Sequence, residues 1–252
     1  MKQISFPEDI PQPAIVVPRS YPDGQVLGWH QHDFAQLVYA CSGVMTVETA
    51  ENLWVIPPQR ALWVPQEVPH KVSMHGQAEM RNLYVRADAF DELPEKSCVL
   101  TISPLMRELI LHLACFPFQN KQIEEASRMI HVTMDQLRRA NEVSFYLPMA
   151  SDARLKSVCE ALLLNPDDRR SLSEWAQRAN VSSRSLSRLF RADLGMSFVE
   201  YRQQARLLGA IKLLAKGQPV STVAMDVGFS SLSAFNRLFK KNIGTTPGHF
   251  FN

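Results

Sequence analysis

Apolar positions along the chain change their period once, near residue 100, and that change divides the molecule. From Gln25 to about Val85, short runs rich in Val, Leu, Trp and Tyr are separated by the turn signals SG, PP, VPQEVP and HG. Closely spaced strands and turns of this kind predict a small β-sandwich or barrel. From Thr101 the spacing becomes helical: Ile102, Leu105, Met106, Leu109 and Leu113 form one stripe, and Ile123, Ala126, Ile130, Met134 and Leu137 a second, with Pro117 and Asn120 between them. An αα-hairpin follows, whose stripes either pair two chains or pack on the β domain. FYLPMASD, residues 145–152, reads as a linker ending in a helix cap, because Pro disfavours helix before it and Ser or Asp accepts free N-terminal amides. Everything beyond reads as helical. The predicted class is therefore α+β and multidomain: a β domain over 1–98, a dimerising helical hairpin over 99–145, a linker over 146–151 and an all-α domain over 152–252.

The helical part contains a repeat. AQRANV (Ala176 to Val181) aligns with AMDVGF (Ala224 to Phe229) at an offset of 48, and RLFRADLG (Arg188 to Gly195) with RLFKKNIG (Arg237 to Gly244) at an offset of 49. Each copy reads as a short helix, a tight turn and a second helix opening with Ser, the helix-turn-helix pattern. In the first copy Leu186, Leu189 and Phe190 share one helix face, while Arg184, Arg188 and Arg191 share another. The second copy places Phe235, Leu238 and Phe239 inside and Ser233, Arg237 and Lys240 outside. A solvated face is the bland reading of the outer set; cations at matching places in two copies favour DNA. The candidate DNA-contacting residues are Ser182, Ser183, Arg184, Ser187, Arg188 and Arg191, then Ser231, Ser233, Asn236, Arg237 and Lys240. Arginine can grip either guanine O6/N7 or a phosphate, and Ser182 and Ser231 are expected to cap their helices. Between the copies, SFVEYRQQARLLGAIKLLAKG (Ser197 to Gly217) predicts a rod of roughly 27 Å, suited to setting two reading helices in successive major grooves about 34 Å apart.

Charge sharpens this division. Residues 1–150 carry 12 Lys and Arg against 17 Asp and Glu, and residues 151–252 carry 15 against 8, so a net charge of +2 conceals a basic C-terminal part suited to an anionic partner. No apolar run approaches the length of a membrane span, and MKQISFPEDIPQP matches no secretory or transit leader, so a cytoplasmic protein without membrane partners is expected. The cysteines Cys41, Cys98, Cys115 and Cys159 are scattered, with no C-x-x-C pair, which argues against a zinc knuckle or disulfide framework.

The block from Leu172 to Phe250, with GF at Gly228-Phe229 and the closing G-x-x-P of Gly244 and Pro247, closely resembles the DNA-binding domain of AraC/XylS-type transcription regulators. The resemblance implies two helix-turn-helix units joined by a long helix, reading helices over Ser182 to Ala192 and Ser231 to Asn242, binding to double-stranded promoter DNA and, usually, activation of transcription with RNA polymerase as partner. The first 150 residues are similar to the other half of such regulators, a cupin-like β domain followed by dimerising helices, which implies a homodimer responding to a small-molecule effector.

Cupin metal sites follow G-x5-H-x-H-x3,4-E-x6-G and then P-x-G-x2-H-x3-N. His30, His32, Gln36 and Gly43 reproduce the first spacing from its histidines onward; Pro65 to His70 reproduce much of the second, with Glu67 where glycine is usual and Met74 where asparagine is usual. Strand alternation sends His30 and His32 to one side, and the cupin topology implies that His70 joins them. Three imidazoles suit Zn, Fe, Ni or Cu, yet Gln36 replaces an anionic ligand by a neutral amide, so no cofactor is expected and a divalent transition metal at His30, His32 and His70 is the one candidate. The prevailing expectation is a relic barrel in which these side chains hydrogen-bond. An intermediate reading makes His30, His32, Gln36 and His70 an effector site among Trp29, Tyr39, Trp54 and Trp63, with Arg60 meeting an acidic effector. Two rivals stand beside the regulator: a metal-dependent cupin enzyme with a DNA-binding tail, which Gln36 and the lack of another catalytic constellation disfavour, and a regulator whose β domain only contacts proteins or a second chain. The expectation is a protein without enzymatic activity.

Overall fold

The structure is a computed structural model that describes residues 10, 12–86, 88–116, 124–143 and 146–250. Ile123 and Phe145, placed above in the second stripe and in the linker, lie outside the described residues. The chain divides into two compact bodies: Met1–Thr49 with Ile56–Ser144, and Ala50–Val55 with Phe145–Asn252.

The first body is an antiparallel, cupin-like sheet domain. Its strands are β1 (Ala14–Tyr21), β2 (Val26–His30), β3 (Ala35–Glu48), β5 (Arg60–Val64), β6 (His70–Val85) and β7 (Cys98–Thr101), with β4 (Asn52–Ile56) intervening in sequence. The sheet therefore begins earlier and ends later than the 25–85 span predicted from apolar runs. Long β6 takes β1 along its second half (Ala14↔Val85 to Tyr21↔Ala78) and β2 along its first half, where His30 stands opposite His70. Its other edge pairs with β3, from Ala35↔Val85 to Glu48↔Lys71, with irregularities between Ala40 and Val44; β3 in turn pairs with β5, and β5 with β7.

Alternation along these strands fills two different spaces. Leu37, Tyr39, Ala61, Trp63, Leu83, Val85 and Leu100 form one buried cluster with Met106, Ile110 and Leu113 of α1 (Pro104–Leu113) and Ala126, Ile130, Met134 and Leu137 of α2 (Glu124–Arg138). Burying each large aliphatic side chain contributes about 2 kcal/mol, so the hairpin stripes cover the sheet. Leu105, assigned to the first stripe by its spacing, instead faces out at 54% exposure, and Val132 of α2 is also exposed.

The second body is helical apart from one short strand pairing. Leu147–Pro148 (β8) pairs with Asn52 and Leu53 of β4, Met149 N–H donates to Glu51 O at 2.6 Å, and the Trp54 and Tyr146 rings lie 6.4 Å apart. Asp152 caps α3 (Ala153–Leu164), as the linker sequence predicts, and α4 (Leu172–Arg178), α5 (Ser183–Leu194), α6 (Phe198–Ala215), α7 (Val220–Asp226), α8 (Leu232–Ile243) and a 3-10 turn at Pro247–His249 follow. Helix α6 opens on a Ser197–Glu200 capping box and buries Phe198, Tyr201, Ala205, Leu207, Leu208, Ala210, Ile211 and Leu214, too many for a single face. No helix among the described residues is long and apolar enough to cross a membrane.

Candidate nucleic-acid interface and histidine cluster

The repeat in the sequence is a repeat in space. Helices α4 and α5 form the first helix-turn-helix and α7 and α8 the second; Ser182 Oγ accepts from Ser185 N–H at 3.1 Å, and Ser231 Oγ accepts from Ala234 N–H at 3.2 Å. Leu186, Phe190 and Leu194 are buried in α5, and at the same offset Phe235, Phe239 and Ile243 are buried in α8. Leu189 and Leu238, assigned to the inner faces, are half-buried at their edges. The turns also correspond: Asn180 has φ +53° and its counterpart Gly228 φ +85°. A Cβ at Gly228 would lie 2.8 Å from both Arg206 Nη2 and Asp167 Cα, so the second copy needs glycine for space as well as for conformation.

Of the candidate DNA-contacting residues, Ser182, Arg184, Ser187, Arg188 and Arg191 are exposed on α5, and Ser231, Ser233, Arg237 and Lys240 on α8. Ser183 and Asn236 are half-buried, and Asn236 Oδ1 is buried without a hydrogen-bond partner among the described residues. Asn236 lies three and seven residues before the buried Phe239 and Ile243, so it sits at the edge of the core face of α8. Arg191 faces Glu200 at 3.4 Å, an exposed pair of small energetic value. At the base of α5, Asp193 accepts from Ser151 N–H at 2.9 Å, Ser151 O–H at 2.5 Å and Asp152 N–H at 3.1 Å, tying the segment before α3 to the first reading helix.

Sequence reasoning missed a cleft of about 730 Å³ beside α8, where Arg169, Arg206, Arg237 and Lys241 converge. Arg169 and Arg206 belong to segments distant in sequence from α8; the DDRR run at 167–170 is a local signal for Arg169, and nothing local marks Arg206. Arg206 is partly structural: Nε donates to Pro166 O at 2.9 Å and its guanidinium lies 5.8 Å from the Phe229 ring centre, while burial pulls its pKa down.

In the sheet domain, the β2–β6 register brings His30 and His70 together, with ring centres 4.3 Å apart; His32 lies 5.0 Å from His30 and 5.5 Å from His70. The last residue of β2 is His30, so His32 is held beyond the strand, where its carbonyl accepts Glu67 N–H at 2.7 Å. Glu67 stands where the cupin pattern has glycine, and its φ of +60° explains that preference: the turn needs a left-handed residue, which here is a glutamate. Carbonyl oxygens only accept, so the contacts of His30 Nδ1 with Gly28 O (2.6 Å) and His70 Nδ1 with Val68 O (2.9 Å) place the protons on Nδ1 and the lone pairs on Nε2. Burial is the first cause that lowers all three pKa values; for His32 and His70, brought down to about 4, neighbouring imidazoles add to the effect. Gln36 is 2% exposed; its Nε2 donates to Tyr84 O–H at 3.3 Å, its amide also reaches His32, and Tyr84 meets the His32 ring edge-on at 5.5 Å.

The structure thus gathers His30, His32, Gln36 and His70, and leaves out the rest of the expected effector site. Arg60 lies four residues along β5 from Val64, the partner of Gln36, roughly 13 Å away. Tyr39, three residues from Gln36, points to the opposite face and joins the hairpin cluster together with Trp63. Trp29 is 54% exposed, and Trp54 belongs to the second body. Tyr84, which the sequence did not single out, supplies the aromatic wall instead.

An antiparallel sheet domain carrying a buried polar cluster, followed by two capped helix-turn-helix units, defines a transcription regulator with separate ligand-binding and DNA-binding domains. A family model described as an AraC-like ligand binding domain matches residues 12–174, and one described as a helix-turn-helix domain matches residues 175–252. The HTH-type transcriptional regulator NimR of Escherichia coli is 36% identical over 221 residues, covering 88% of this chain and 81% of that protein. RipA of Corynebacterium glutamicum is 29% identical over 86% of this chain and 61% of its own length, and the arabinose operon regulatory protein of Escherichia coli 33% identical over 45% of this chain and 40% of its own. The chain belongs to the AraC family of transcription regulators. These relatives are named as regulators, not as enzymes.

Proposed function

We propose that the protein binds promoter DNA sequence-specifically as a homodimer, through both reading helices, and that a small molecule held in the sheet domain changes its activity as an activator. The observation that carries the DNA part is the matched pair of amphipathic helices, buried at Leu186, Phe190, Leu194 and at Phe235, Phe239, Ile243, with Arg184, Arg188, Arg191, Arg237 and Lys240 outside. Both N-termini are serine-capped, so backbone amides there suit phosphate. Ser233 replaces the Arg184 equivalent, which makes the second copy the weaker reader. In the cleft beside α8, Lys241 and Arg169 extend the cationic surface available to the DNA backbone. Exposed Leu105 and Val132 on the hairpin support pairing of two chains, and a ligand bound at the cluster of His30, His32, Gln36 and His70 acts by its differential affinity for two arrangements of that pair. RNA polymerase is the protein partner, and the compartment is the cytoplasm.

The test is fluorescence anisotropy on genomic fragments selected by the wild-type chain. Arg188→Ala and Arg237→Ala are each expected to weaken binding by about 1–3 kcal/mol where the side chain reads a base, selectively at one position. Where it grips phosphate, the loss is uniform across sequences and the salt slope falls by about one. Wild-type affinity in both variants at physiological salt refutes the assignment.

A further inference from the structure

We propose that His30, His32 and His70 bind one divalent transition-metal ion through their imidazole nitrogens, with Gln36 beside it as a neutral amide donor. The proposal goes beyond the regulator reading and stands whether or not DNA affinity responds to the ion. One nitrogen from each ring lies within 4.8 Å of the other two. A tetrahedral ion with Zn–N bonds of about 2.0–2.1 Å spaces its ligands about 3.4 Å apart, so the rings close on an ion by moving about an ångström.

Two further observations point to a ligand. His70 is 1% exposed, and its Nε2 is buried with no hydrogen-bond partner among the described residues, an arrangement that is unfavourable for a buried polar atom unless a ligand satisfies it. In addition, His30 and His70 commit Nδ1 to the backbone carbonyls of Gly28 and Val68, which presets ring orientation as the outer shell of a metal site does. Neutral nitrogen donors with no carboxylate among them select Zn, Ni, Co or Cu over Mg or Ca. Replacing the usual acid by Gln36 removes a charge from the site, so the ion exchanges and yields to a chelator.

The experiment uses the full chain, stripped with EDTA, freed of chelator and titrated with Co(II), followed by visible d–d absorption, and with Zn(II), followed by calorimetry. One equivalent is expected, with a cobalt spectrum of nitrogen-rich, low coordination number. His70→Ala and His30→Ala should each weaken binding by more than about tenfold, while His112→Ala, on the exposed side of α1, leaves it unchanged. His70 is in the core and its loss can unfold the domain. His30 is half-buried, so a His30→Ala chain with wild-type circular dichroism and unfolding transition carries the test. Absence of stoichiometric Co(II) and Zn(II) binding by the folded wild type, or wild-type affinity in folded His30→Ala, overturns the site. DNA binding is read separately on the same samples, so failure here leaves the regulator reading intact.

Discussion

Exchanging the turn residues of the two helix-turn-helix copies separates two reasons for having glycine in a turn. Asn180 and Gly228 both occupy the left-handed region, at φ +53° and +85°. Asparagine tolerates that conformation at small cost, so backbone strain alone adds at most about 1 kcal/mol to Gly228→Asn. The larger effect is steric: Asp167 Cα is main chain, 2.8 Å from the new Cβ, and Arg206 is held by Pro166 O and by Asp168 O at 3.4 Å. Forcing an extra group into packed surroundings costs about 1–3 kcal/mol, which gives about 1–4 kcal/mol in all. For a body of this size that shift lowers Tm by on the order of 5–30 °C. Asn180→Gly gains unfolded-chain entropy but loses the mild left-handed strain, and should change stability by less than about 1 kcal/mol. Thermal unfolding of the full chain, read by circular dichroism and by Trp175 fluorescence within the second body, gives both values. Gly228→Asn within 1 kcal/mol of wild type, or equal losses in the two variants, would refute the close approach of Arg206 and Asp167 as the reason for glycine.

Glu67→Gly relieves a left-handed residue worth about 1 kcal/mol and loses about 0.5–1 kcal/mol in chain entropy, so Tm should stay level or rise slightly; Glu67→Val should destabilise by more, and the opposite order would remove the explanation of the cupin glycine. The Arg154 guanidinium, and then the amides of Arg154 and Leu155, pull the Asp152 carboxyl from its ordinary 3.8 to about 2. Because the folded value is the lower one, the cap stabilises fully above about pH 4, and that contribution is lost as pH falls through about 2. Carboxyl NMR should find a midpoint near 2 in the folded chain, and an ordinary midpoint there would show that the Arg154 contact does not form in solution.

The sheet domain shows how far local pattern reaches. The apolar runs between Gln25 and Val85 predicted strands but not which face of β3 meets the hairpin; that choice places Tyr39 with Trp63 in the core and Gln36 with the histidines. Arg60, chosen for its place near the possible barrel mouth, fell away because a strand carries about 3.3 Å per residue and Arg60 lies four residues along β5 from the partner of Gln36. Tyr84 was invisible for the complementary reason: nothing near it in sequence marks it, and it reaches Gln36 across the β3–β6 pairing.

The sequence by itself determined the two helix-turn-helix units, their serine caps, their buried and exposed faces and the long helix between them. These depend on contacts within one or two helical turns, so periodicity and capping specify them locally. Only the tertiary structure decided that the hairpin stripes cover the sheet, that residues 50–55 belong with the helical body, that Arg206 and Asp167 exclude any side chain at residue 228, and that Arg169 joins Arg237 and Lys241 around one cleft. Each of these joins segments tens of residues apart, where packing and strand register set the partners and no local period records the choice.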